Sequence, residues 1–312
     1  MKRAIVARAA FVLLSAALLL GAAKGIPEKE APSQTALPDV YVSGGYAAAT
    51  EAGYDQKSLD YAARKFRQLY DSYLTGNAGH IYLSVIPDKG SFTEPPEGYT
   101  PASAQETAEA LLARLDFAQY VDIAPGLTLE DYYRTDLHWR QECLAPTART
   151  LAQAMDVPPA GSFQENTVDT PFFGSYAGKT DTPLTADTLC YLTNETLDAC
   201  TVYDYETEVQ TGLYDLSAPE TKTPYDLYLQ GSKSLLRVDS PLSATDKTLV
   251  VFRDSFASSL IPLLAESYRT IYAVDIRYLS SQLLGRFLTL DGSEDVLFLY
   301  SVTVLNNSIT MK

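Results

Sequence analysis

Three stretches near the C-terminus, 248–252 (TLVVF), 271–274 (IYAV) and 295–300 (DVLFLY), are apolar almost without interruption. A strand with one wet face alternates apolar with polar residues. An unbroken run has no face to give to water, so it belongs in a sheet covered on both sides. Helix-like stretches, 256–264 and 280–287, separate the three runs. Strand and helix in alternation point to a parallel sheet, because parallel neighbours need a crossover connection. The predicted fold class is therefore α/β, with a central parallel sheet between helical layers.

The first half of the chain supplies more of the same. A short strand at 40–42 is followed by a helix whose apolar positions, Leu59, Ala62, Phe66, Leu69 and Tyr73, recur at three- and four-residue spacing. A β-rich run follows at 80–87 (HIYLSVIP), then a Pro/Gly-rich loop to about 101, and a helix over 102–115 with Ser103 or Thr107 as its cap. A short strand is expected at 120–123 and a helix over 142–155. Residues 158–245 change character: rich in Thr, Tyr, Asp and Pro, with β-prone pieces at 189–192 and 199–205, they read as an insertion of antiparallel strands and loops.

The N-terminus carries an address. Lys2, Arg3 and Arg8 precede an apolar run at 9–23, shorter than the roughly twenty residues a bilayer span needs. This predicts an export signal over 1–23, either cleaved or retained as an N-terminal membrane anchor, and an extracytoplasmic protein. Residues 24–38 (KGIPEKEAPSQTALP) read as a linker. With 24 Lys and Arg against 39 Asp and Glu, the net charge is −15, which disfavours nucleic acid as a partner. Cys143, Cys190 and Cys200 lack CxxC spacing and read as structural, with a Cys190–Cys200 pair as one option outside the cell.

Chemistry is concentrated in scarce residues. There are two histidines and one tryptophan, and His138 and Trp139 are neighbours, with Asp136 two positions earlier. Asp254 and Ser255 follow directly on an apolar strand and precede a helix. In parallel sheets, ligands bind beyond the carboxyl ends of the strands, so Ser255 is placed at the active edge. A serine hydroxyl needs a base, and the base needs a carboxylate to hold its tautomer; Ser255, His138 and Asp136 supply the three types. The bland alternatives are a helix N-cap for Ser255 and a packed core histidine for His138. Asp136, His138 and Glu142 form a weaker metal-ligand reading, short of a second nearby histidine; no metal or cofactor is expected. His80, at a strand start, reads as structural.

These segments together resemble the DHHW family, exported bacterial proteins related to SGNH hydrolases and alginate O-acetyltransferases. The resemblance is carried by 86–89 (IPDK), 132–139 (YYRTDLHW), 173–179 (FGSYAGK), 225–233 (YDLYLQGSK), 250–256 (VVFRDSF), 262–278 and 297–300. It implies an SGNH-hydrolase-like three-layer sandwich over 39–312 with the 158–245 insertion. It also implies a permuted motif order, with Asp136 and His138 ahead of Ser255. Two positions depart: Leu137 stands where the family motif has His, and Arg253 where SGNH enzymes carry Gly. By the resemblance, Ser255 is the nucleophile, His138 the base and Asp136 its orienting carboxylate. Oxyanion or substrate contacts are expected from the Ser255 N–H and from loops carrying Arg277, Tyr278, Ser301, Thr303 and Asn306. Gly174, Ser175 and Tyr176, with Gly231 and Ser232, form an expected acceptor wall. The implied activity is an exported O-acetyltransferase or esterase on cell-envelope or secreted polysaccharide. Its partners are a glycan and an acyl donor, with a membrane protein as one source of the donor. The alternative is a catalytically weak glycan-binding or envelope-assembly protein that keeps the fold.

Overall fold

A computed structural model describes residues 39–50 and 53–312. The expected signal or anchor at 1–23 and the linker at 24–38 lie outside the described residues. Chain order begins with the hairpin β1 (Val40–Ser43) and β2 (Tyr46–Ala49), then α1 (Gln56–Leu69), β3 (His80–Ile86), α2 (Ala104–Leu112) and β4 (Gln119–Tyr120). After a long loop come α3 (Ala145–Ala154), β5 (Gln164–Phe172), β6 (Asp187–Thr193), the one-turn α4 (Glu195–Asp198), β7 (Thr201–Asp204), β8 (Val209–Thr211) and β9 (Leu235–Asp239). The chain closes with β10 (Thr248–Arg253), α5 (Ala257–Leu264), β11 (Thr270–Val274), β12 (Asp295–Ser301) and α6 (Val302–Asn306).

Eight strands form one sheet in the order β4-β3-β12-β10-β11-β9-β7-β8. The first five are parallel, and β9, β7 and β8 extend the sheet antiparallel. Numbered from β10 and passing through the termini, the parallel part reads second, first, third, fourth, fifth. That is a doubly wound order, with its switch point between β10 and β12, where a crevice opens beyond the strand ends.

The pleat explains the layers. Leu249 and Val251 of β10 pack with α3 and α5 on one face, while Val250 and Phe252 pack with α1 and α2 on the other. Two apolar faces per strand require two helical layers, giving a three-layer α/β sandwich. A third, smaller apolar group, Tyr133, Phe172, Leu189, Tyr225, Leu227 and Tyr228, joins the β5–β6 hairpin to the loops beside it.

Several local expectations are corrected. A second strand, β2, stands between β1 and the expected helix α1: Gly44 and Gly45, at φ 58° and 85°, close a two-residue hairpin turn. The helix-like stretch at 280–287 is a 3-10 helix over 281–286. The 158–245 stretch is divided, β5 and β6 pairing apart while β7, β8 and β9 join the main sheet. Ser103 caps α2, accepting from the Glu106 N–H at 3.3 Å, and Thr107 is buried inside the helix. All three cysteines are free thiols: Cys190 sits in β6, and Cys200 donates to the Thr196 carbonyl at 3.2 Å.

Phe298 of β12 is fully buried, with ring centroids 4.6 Å from Phe66 and 4.9 Å from Phe252. Phe298→Ala is expected to cost about 3–5 kcal/mol of folding free energy. The check is a lowered urea midpoint at unchanged slope.

Candidate active site

The turn between β10 and α5 is tied down by a carboxylate. Asp254 is fully buried; one oxygen accepts from the Phe256 N–H at 3.0 Å, and the other from the Ser301 N–H and hydroxyl, both at 2.7 Å. The turn is thereby fastened to the carboxyl end of β12, at the switch point. Ser255, next in the chain, is left half-buried, and its own backbone N–H has no acceptor among the described residues.

The second half of the site is a hairpin-like loop over 131–140, closed by an isolated bridge between Tyr132 and Trp139. Two buried residues dock it on α5. The Trp139 indole N–H donates to the Phe256 carbonyl at 2.8 Å, and the Gln141 side chain donates to the Ser259 carbonyl at 2.7 Å. This docking brings the three candidate side chains into one chain of hydrogen bonds. His138 Nδ1 lies 2.5 Å from Asp136 Oδ1, and His138 Nε2 lies 2.8 Å from Ser255 Oγ. An ionised carboxylate only accepts, so Nδ1 carries the proton and Nε2 accepts from the serine hydroxyl. The imidazole stacks on Tyr225 at 3.8 Å between centroids and 8° between planes, and the Phe256 ring lies tilted to it at 4.8 Å. Tyr225 is itself fixed, its hydroxyl donating to Ser259 Oγ at 2.9 Å.

Burial alone would raise the Asp136 carboxyl. The imidazole of His138, with the backbone N–H groups of Ser175 (2.7 Å) and His138 (3.0 Å), outweighs this and holds it well below the usual carboxylate range. Around it are two buried residues to which the sequence assigned no role. Asp187, buried, accepts from the Arg134 N–H, the Thr135 N–H and the Thr135 hydroxyl at 2.6–2.7 Å. Lys89, 3% exposed, donates to the Tyr133 and Asp136 carbonyls at 2.7 Å and to the Arg134 carbonyl at 3.3 Å. A buried Lys or Asp is unusual enough to signal a role, but burial is not visible in one sequence.

The remaining candidates are placed as follows. Ser175 contributes its backbone N–H to Asp136, and Tyr176 lays its ring 5.1 Å from Lys89 Nζ, so both sit beside the Asp136 loop. Gly231, at φ 80°, ends a tight turn in which a Cβ would collide with the Asp226 carboxylate. Arg277 is held by a bidentate pair with Asp275, and the exposed Tyr278 lies under that guanidinium. Ser301 donates to Asp254 and Thr303 to Asp88; Asn306 accepts from the Asp55 N–H, joining α6 to the start of α1. Among the described residues, no hydrogen bond links any of these to Ser255. The metal reading is corrected: Glu142 turns into an ion pair with Arg140 at 2.7 Å, and no cluster of three metal-ligand side chains forms among the described residues. An open depression of about 590 Å³ lies along α1 between Arg64, Arg67, Asp71 and Arg114, and none of the three site residues lines it.

No protein-family model matches the chain, and no curated protein sequence does. Solved structures do. A DHHW family protein from Eubacterium siraeum superposes with a TM-score of 0.69 at 19% identity, over 87% of this chain and 92% of that one. PatB1 of Bacillus cereus gives 0.66 at 17% identity, over 85% and 96%. The chain shares the fold of these proteins. The O-acetyltransferase domain of Pseudomonas putida AlgJ follows at 0.52 and 14% identity, over 86% and 93%. The expected three-layer relationship is therefore present, at identities where structure is shared and function is not thereby given.

Gly174 makes the close approach that the Asp136 bond to Ser175 needs: a Cβ there would collide with the Cα and Cβ of Asp136. Gly174→Ala is expected to lower stability by about 1–3 kcal/mol, seen as a depressed thermal midpoint. Ser175→Ala, which leaves the backbone donor in place, should be close to neutral.

Proposed function

We propose that this protein is an extracytoplasmic acyltransferase or esterase acting on O-acetyl groups of cell-envelope or secreted polysaccharide. The observation that carries the reading is the unbroken relay from Asp136 through His138 to Ser255, at 2.5 and 2.8 Å. It is supported by a fold shared with an O-acetyltransferase domain, and the basic-apolar stretch at 1–23 supports the location.

In this reading, Ser255 Oγ attacks the acetyl carbonyl of an ester donor while His138 Nε2 takes its proton. The resulting oxyanion lies at the start of α5, where the free Ser255 N–H is the available donor. On collapse of the tetrahedral intermediate, the imidazolium returns its proton to the departing alkoxide, leaving an acetyl ester on Ser255. A sugar hydroxyl, or water, is then deprotonated by His138, attacks that ester and leaves acetylated, with the proton restored to Ser255. Asp136 stays ionised throughout; it fixes the ring and stabilises the imidazolium. Tyr225 adds a π-face to the same imidazolium.

The test is release of p-nitrophenol from p-nitrophenyl acetate by wild type and Ser255→Ala, with labelling by a sulfonyl fluoride in parallel. Wild type is expected to turn over and to be labelled at Ser255. Ser255→Ala should lose about a thousandfold or more in rate and all labelling, and Asp136→Asn a comparable factor in rate. Equal rates in wild type and Ser255→Ala would refute the reading. Supplying an oligosaccharide acceptor separates transferase from esterase, since acetyl then appears on the sugar rather than as free acetate.

A further inference from the structure

The segment 87–89 lies just beyond the carboxyl end of β3 and joins the two halves of the site. The Pro87 carbonyl accepts from the Tyr132 hydroxyl at 2.6 Å, and Asp88 accepts from the Thr303 hydroxyl, beyond β12, at 2.8 Å. Lys89 reaches the other way. Its ammonium has three N–H donors, and three main-chain carbonyls of the 133–136 stretch receive them. Such a carbonyl cage with a built-in cation is costly to bury, and a loop that needed only to be covered would be served by an apolar side chain.

We propose that Lys89 is a positioning residue: by gripping the main chain of 133–136 it sets the place of Asp136, and through Asp136 the orientation of the His138 imidazole toward Ser255. The link is direct, since one of the three carbonyls belongs to Asp136 itself.

The device is sensitive to protonation, because a neutral amine offers two donors and a lone pair to three carbonyls. The groups facing Nζ are the Asp136 and Asp187 carboxylates and the rings of Tyr46 and Tyr176, with Arg134 stacked beyond Tyr46. Burial drives the amine down to about 7, the two carboxylates opposing it. The sign of the stability effect is the reverse of the positioning effect. Above about pH 7 the unfolded chain binds the proton that the folded one has released, so this group adds stability as pH rises toward the ordinary lysine range. Loss of positioning without loss of stability therefore marks the role.

The experiment reads the hydrogen-bonded Nδ1 proton of His138 by proton NMR, which needs no turnover, beside kcat and KM for p-nitrophenyl acetate; only the kinetic arm rests on the proposed function. In wild type the downfield resonance should weaken between pH 6.5 and 9 while the melting temperature does not fall. Lys89→Met should lose the resonance and about ten- to a hundredfold in kcat with little change in KM. Lys89→Arg, charged at every pH, should lack the alkaline change. If Lys89→Met does not fold, the wild-type titration and Lys89→Arg decide. A wild-type resonance constant through pH 9, or one unaltered in Lys89→Met, overturns the proposal. A resonance that behaves as expected in a protein without Ser255-dependent turnover upholds the positioning role and refutes the enzyme reading.

Discussion

A carboxylate cut off from water must be satisfied by protein donors or give up its charge, and three of them assemble this site. Asp254 holds the turn bearing Ser255 to the end of β12, Asp187 gathers the backbone at Arg134 and Thr135, and Asp136 gathers Ser175 and His138. None of these bonds is local to one element of secondary structure. Except for the Asp136–His138 contact, each converts the energetic demand of a buried charge into a fixed distance between segments far apart in sequence, such as the 47 positions between Asp254 and Ser301. The apolar layers bring the strand ends together, and the carboxylates then set their registration.

The sandwich was legible because its signal is periodic. Unbroken apolar runs at β10, β11 and β12 dictated burial on both faces, and four of the five positions picked out by spacing, Leu59, Ala62, Phe66 and Leu69, are buried in α1, with Ala63 beside them. What escaped was aperiodic or depended on partners. The Gly44–Gly45 turn is set by two consecutive left-handed residues, a local signal with no periodicity. The antiparallel extension β9, β7 and β8 is made of short strands whose pairing is set by long-range register, which no local pattern encodes. At the site, the scarce residues His138, Trp139 and Ser255 stood out by type. Asp187 did not, Lys89 and Tyr225 entered only inside segments of resemblance, and Gly174 only as part of an acceptor wall, because their importance lies in burial and in what they face. Arg277 and Asn306 were chosen by their place after a strand, and in the fold their side chains are taken up by Asp275 and by the Asp55 backbone.

Arg253 shows how a sequence departure is absorbed. It is fully buried between Asp254 and Asp275, donating to Ser258 Oγ at 3.0 Å, with its Nε left without a partner. A glycine at this position would leave Arg277 as the guanidinium beside Asp275 and would remove the bond to Ser258. Arg253 adds its own guanidinium beneath the turn, so the residue does electrostatic work that a small residue does not.

Leu137 follows a different logic. Asp136 and His138 bond to each other, while the residue between them lines a narrow cleft with Ala48, Ala49, Gly90, Phe256 and Thr303 and packs against the main core. A change at 137 therefore alters that cleft and leaves the relay intact. The relay needs only its two ends, 136 and 138, held by the main chain, and the main chain there is gripped through its carbonyls by Lys89. A leucine in this place gives apolar surface to a cleft that is also lined by Phe256, the residue that flanks both the imidazole and the indole of Trp139. The position that departs most visibly from the family motif is thus the one whose side chain the proton path does not use.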